Sequence, residues 1–243
     1  MEDRMLTTQV PIWISISFGL LMISIPSLLI SNSVKVAIGQ GGQSDGRILG
    51  RKIIYTTTAF FLLVGAISLT GFFTVNTLPA RVILFAAIPL FMFYILVVQR
   101  QTWFKTVIEK IKVEQLIQIH IFRFVSVYFY LLYAYDALPE TFAMIGGTGD
   151  ILTALFAIPT VYFLKKKARF ARTVALTWNV FGLIDILSVI TTAIIITRSA
   201  IENNEAGVGQ FGTFPFSWIP TFAPATIVFL HFLIFKKLAK EKQ

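Results

Sequence analysis

The chain has 243 residues, of which 56% are hydrophobic and only 14% charged, with a formal net charge of +9 and a mean hydropathy of +0.77. Soluble domains carry roughly 25% charged residues, so a soluble catalytic domain has nowhere to sit in this chain. The lack of cysteine excludes disulfides, thiolate nucleophiles and iron–sulfur clusters.

In chain order the apolar stretches are Pro11–Ile30, Ile53–Val75, Val82–Val98, Leu116–Tyr135, Gly146–Leu164, Thr173–Thr197 and Pro215–Phe235. A membrane span needs about 20 apolar residues, so the expected fold is all-α, a polytopic bundle of seven transmembrane helices in a single domain. The first stretch exceeds the roughly 7–15 residues of a signal-peptide apolar core and is followed by no A-x-A site, so it reads as a retained helix. The link Gly39–Gly46 reads as a flexible turn. In the third link, Trp103, Phe104, Val107, Ile108 and Ile111 recur at helical spacing among Lys105, Glu109, Lys110 and Lys112. That pattern predicts a helix lying on the membrane interface or extending the fourth span. The link Ser199–Phe214 is expected to be the longest external loop.

The basic residues alternate between connectors. Lys35, Arg47, Arg51 and Lys52 lie near the first link, and Arg100, Lys105, Lys110 and Lys112 near the third. Lys165, Lys166, Lys167, Arg169 and Arg172 fill the fifth, and Lys236, Lys237, Lys240 and Lys242 form the tail. Only Arg4, Arg81 and Arg198 fall on the other side, with Arg123 inside a span. This asymmetry predicts an outside N-terminus and a cytoplasmic C-terminus in the cell (inner) membrane, and it explains the positive charge without nucleic acid.

The fifth span is short. Ile151–Leu164 covers about 21 Å of a hydrocarbon layer roughly 30 Å thick, so the span must draw in Gly146–Asp150, as a continuing or a broken helix. Asp150 is thereby expected about 5–10 Å below the surface, either as a helix N-cap after a glycine turn or as a functional carboxylate.

Arg123 and Asp185 fall near the middle of spans four and six. Isolated charges there cost about 2.5–3.5 kcal/mol or more, so the two are expected to pair. With Asp150 the interior holds two carboxylates and one guanidinium, and a proton or a bound cation is expected to balance the excess. His120 shares a face with Arg123, and His231 lies on a face of span seven with Pro220, Pro224 and Ile227. The histidines are candidates for a proton relay, for hydrogen bonding inside the bundle, or for ligating a haem or a metal. Trp178, Gly182 and Asp185 share a face, with Asn179 beside them, and Gly182 allows close helix approach. Tyr128, Tyr130, Tyr133 and Tyr135 mark the outer half of span four, with Tyr133 and Tyr135 reading as interface anchors.

No H-E-x-x-H, G-x-S-x-G or P-loop pattern occurs, so no catalytic or metal site is expected. The last span has no lysine for a retinal Schiff base. From Arg123 onward, the Leu138-Pro139 step with Phe142-Ala143, Gly147-x-Gly149-Asp150, Trp178-Asn179-x-x-Gly182-x-x-Asp185 and Ile219-Pro220-Thr221 with His231 resemble a group of uncharacterised bacterial multi-pass membrane proteins. The resemblance covers the C-terminal half and implies one shared site or core, without an activity. The expected function is binding or translocation of a small solute, coupled to protons or cations at Asp150 and Asp185. Arg123 would act as counter-ion, and Trp178 and Asn179 as neighbours. The alternatives are a receptor or sensor for a small ligand, and an intramembrane enzyme.

Overall fold

The computed structural model describes residues 10–39 and 43–240. Those residues are helical, without strands: α1 (Ile12–Gly39), α2 (Gln43–Leu69), α3 (Ile88–Leu96), α4 (Thr102–Lys110), α5 (Val113–Ile119), α6 (Val127–Ala134), α7 (Glu140–Lys165), α8 (Ala171–Asn203) and α9 (Trp218–Lys240). Seven helical runs are long and apolar enough to cross a membrane. The third joins a π-helical turn, Ile83–Ala87, to α3 and a 3₁₀ turn, Val98–Arg100. The fourth joins α5 to α6 through a 3₁₀ segment, His120–Ser126.

The spans begin and end further out than hydropathy alone indicates. α1 runs to Gly39 and α2 starts at Gln43, so Asp45 and Gly46 of the expected turn are helical, while its residues 40–42 lie outside the described residues. The reason is close packing: a Cβ at Gly46 would lie 3.2 Å from the Lys35 carbonyl oxygen, and one at Gly50 would meet Ser31 and Lys35. Buried Ser31 of α1, small and directly opposite Gly50, leaves room for that crossing. α8 runs on to Asn203 and ends where Asn204 takes a left-handed conformation (φ 56°), with Glu205 N–H donating to Ala200 C=O at 2.8 Å. The link expected over Ser199–Phe214 is therefore shorter at its start. The third link forms α4 as a separate helix, broken from α5 at the extended Ile111 and Lys112.

Spans four and seven form the centre of the bundle. Of their apolar windows 61% and 67% are buried, against 11% for span three, which lies at the periphery. The centre is aromatic: Phe61 packs on Trp218 and Phe222, and Phe129 on Phe142 and Phe211.

Candidate functional site

The 3₁₀ segment in span four organises the site. With three residues per turn, side chains at i and i+3 eclipse, so His120, Arg123 and Ser126 stack on one face. All three are buried. α7 faces them with Asp150 and Thr153, α8 with Trp178, Asn179, Gly182 and Asp185, and α9 with His231.

Arg123 is the hub. Its Nε donates to Asp150 Oδ1 at 2.6 Å, one terminal nitrogen donates to Asp185 Oδ2, and the other to the Gly182 carbonyl at 3.3 Å. Asp150 also accepts from the Ser126 hydroxyl, and Asp185 Oδ2 accepts from Thr153 Oγ1 at 3.2 Å. The expected Arg123–Asp185 pair is present, and Asp150 shares the same guanidinium. Two carboxylates on one guanidinium leave a formal excess of one negative charge in a region where charge is costly.

Asp150 is not a helix cap. α7 starts directly after Pro139, whose carbonyl accepts from Ala143 N–H, and Asp150 lies ten residues further on, about 15 Å along the axis. Gly146–Gly149 therefore form neither a turn nor a break. Packing holds this glycine run helical. A Cβ at Gly146 would touch Phe129, and one at Gly147 would press on the Tyr130 ring; at Gly149 it would fall onto the Asp185 carboxylate. Glycine here brings the α7 backbone against α8 beside the ion pairs.

Below the triad lies a ring cluster. His120 and His231 pack with centroids 4.4 Å apart, and Trp178 lies 5.1 Å and 5.6 Å from them. Asn179 fixes His231 twice: its Nδ2 donates to the His231 carbonyl at 3.2 Å, and its Oδ1 pairs with Nδ1 at 2.8 Å. Trp178 Nε1 donates to the Thr153 carbonyl at 2.9 Å. Both ring nitrogens of His120 and Nε2 of His231 are buried without a hydrogen-bond partner among the described residues. Native interiors rarely leave polar atoms in this state. The rings touch each other directly, so no porphyrin plane fits between them in this arrangement. Among the described residues no group of three or more His, Asp or Glu has the geometry to hold a metal ion.

Ser126 and Thr153 are members of this site that the sequence reading missed. Ser126 and Thr153 stand three residues after Arg123 and Asp150, a spacing that would have pointed to them. Tyr130 pairs with Thr148 at 2.6 Å, and buried Tyr128 meets Phe18 edge-on, so these tyrosines tie span four to α7 and α1.

Fold and site together define a helical multi-pass membrane bundle with an internal charged cluster. Residues 78–239 match the family described as Domain of unknown function (DUF8737), and the chain belongs to that family. The matched segment takes in the third span and every residue of the site. Neither a curated protein nor a solved structure matches the chain.

Proposed function

We propose that this protein binds or translocates a small solute across the cell (inner) membrane and couples that step to a proton or a cation at Arg123, Asp150 and Asp185. One observation carries the reading: a single guanidinium serves two buried carboxylates. Their excess charge calls for a proton or a small cation, and either becomes an element of the working cycle when the solute changes the pairing. His120, one 3₁₀ turn from Arg123, and His231 of α9 packed against it offer unpartnered nitrogens for a relay.

Infrared difference spectroscopy tests this. The wild type is expected to show a carboxylic-acid band that changes when the solute binds, lost in Asp150→Asn, where one acid then faces one guanidinium. A sodium-dependent rise in thermal midpoint is the expected signature if a cation takes the place of the proton. Absence of both signals removes the coupling proposal.

A second reading, a small-ligand sensor, draws on the 3₁₀ segment. Rewinding it to α-helix would turn His120, Arg123 and Ser126 out of register, a two-state change of the kind a sensor needs. Vesicles separate the two: solute-driven internal pH change favours transport, and a spectral change without flux favours sensing.

The proposed orientation is N-terminus outside and C-terminus cytoplasmic, supported by the basic connectors. Single cysteines placed in the link 166–170 are expected to resist an impermeant thiol reagent in intact cells and to react after permeabilisation. Labelling in intact cells would reverse the orientation.

A further inference from the structure

Spans two and three scarcely touch each other: each packs instead on neighbours, α2 on α1 and α3 on α9. Between them and α4 lies a cavity of about 360 Å³, within the size range of small-molecule sites. Its walls are apolar, with Ile30, Ile53, Phe93, Leu116, Leu230 and Leu233 among them. The polar groups of its inner wall, Tyr94 and Thr226, satisfy each other at 3.0 Å. At the α4 end the cavity adjoins a second one of about 430 Å³, with Leu49, Lys52 and Trp103 common to both. Lys52 and Lys110 line this mouth, with Thr106 beside them. Neither lysine pairs with a carboxylate among the described residues, and Asp45, the acid of the same mouth, already has an interaction of its own.

We propose that this groove is a site for an anionic phospholipid, one acyl chain lying in the apolar cavity and the phosphate at Lys52 and Lys110. Three independent features point to that occupant. The wall is apolar where a chain would lie, unpaired ammonium groups stand at one end only, and amphipathic α4 sets that end at the depth of headgroups. A neutral solute would leave the lysines without use, and a free phosphate would leave the apolar cavity without use. The site shares no residue with the Arg123 cluster and stands without the coupling proposal.

Native mass spectrometry of the full chain from mixed micelles of phosphatidylglycerol and phosphatidylcholine tests it. One phosphatidylglycerol is expected to remain bound through delipidation, and phosphatidylcholine is not. Lys52→Gln and Lys110→Gln, both at exposed positions, are expected to lower retention about fivefold each, the factor contributed by one basic residue near an anionic surface. Thr57→Trp, which fills the cavity from α2, is expected to abolish retention with the charges intact. Should Thr57→Trp lower the thermal midpoint, Ile53→Phe on the same wall replaces it. Equal retention of both lipids, undiminished retention in the double lysine variant, or undiminished retention in the filled variant would each overturn the proposal.

Discussion

Arg123→Gln is expected to destabilise the protein by about 3–5 kcal/mol, the usual cost of removing one partner from a buried ion pair. The change strips a donor from Asp150, from Asp185 and from the Gly182 carbonyl at once. The two acids then face each other without a cation. Asp150→Asn is expected to cost far less. Its amide oxygen still accepts from Nε, and the remaining Arg123–Asp185 pair is electrically balanced. The triple variant Arg123→Gln, Asp150→Asn, Asp185→Asn should recover part of the loss, because removing every member of a buried charge cluster is much cheaper than removing one. Thermal unfolding in detergent, followed by tryptophan fluorescence, reads all three. An Arg123→Gln midpoint no lower than that of Asp150→Asn would contradict the shared-hub geometry, as would strictly additive losses in the cycle.

Gly149→Ala is expected to have the second-largest effect, and its sign runs against helix propensity. Inside an ordinary helix this change gains up to about 1 kcal/mol. Here the added methyl would overlap the Asp185 carboxylate, whose position is fixed by Arg123 and Thr153, so it cannot swing aside. Either α7 and α8 separate or the ion pair breaks. Overpacking alone costs about 1–3 kcal/mol, and loss of the pair adds to it. Gly147→Ala should be milder, since the contact is the edge of half-buried Tyr130. Gly19→Ala is the control: its Cβ would meet Trp218 and Pro215 at ordinary distances of 3.6 Å and 3.7 Å, so stability should hold or rise. A midpoint for Gly149→Ala at or above that of Gly19→Ala would refute the close approach of α7 to Asp185.

The resulting picture separates two requirements in one small bundle. Around Arg123 the packing is dense and every carboxylate is held by more than one donor. Along spans two and three it is loose, with an apolar groove between helices that scarcely meet. A site that holds charge needs the first environment, because each unsatisfied group is costly at that depth. A site that holds an acyl chain tolerates the second, because lipid and leucine differ little as neighbours.

What the sequence by itself determined is the set of spans and the ionisable residues that lie inside them. Both follow from local quantities: an apolar run long enough to cross hydrocarbon forms a helix whatever surrounds it, since its backbone has no other partner there. The need for Arg123 and Asp185 to pair was legible for the same reason, as neither tolerates isolation at mid-membrane. Only the tertiary structure decided how Asp150 is used. Its preceding glycines look like a turn in one dimension, but they are held helical by Phe129, Tyr130 and Asp185, which come from other helices. The same holds for the 3₁₀ segment that aligns His120, Arg123 and Ser126, and for the contact between His120 and His231. Those arrangements depend on how α7, α8 and α9 pack around span four. No periodicity within a single span encodes that packing, because the apolar surface of a membrane helix is nearly as comfortable against lipid as against its neighbour.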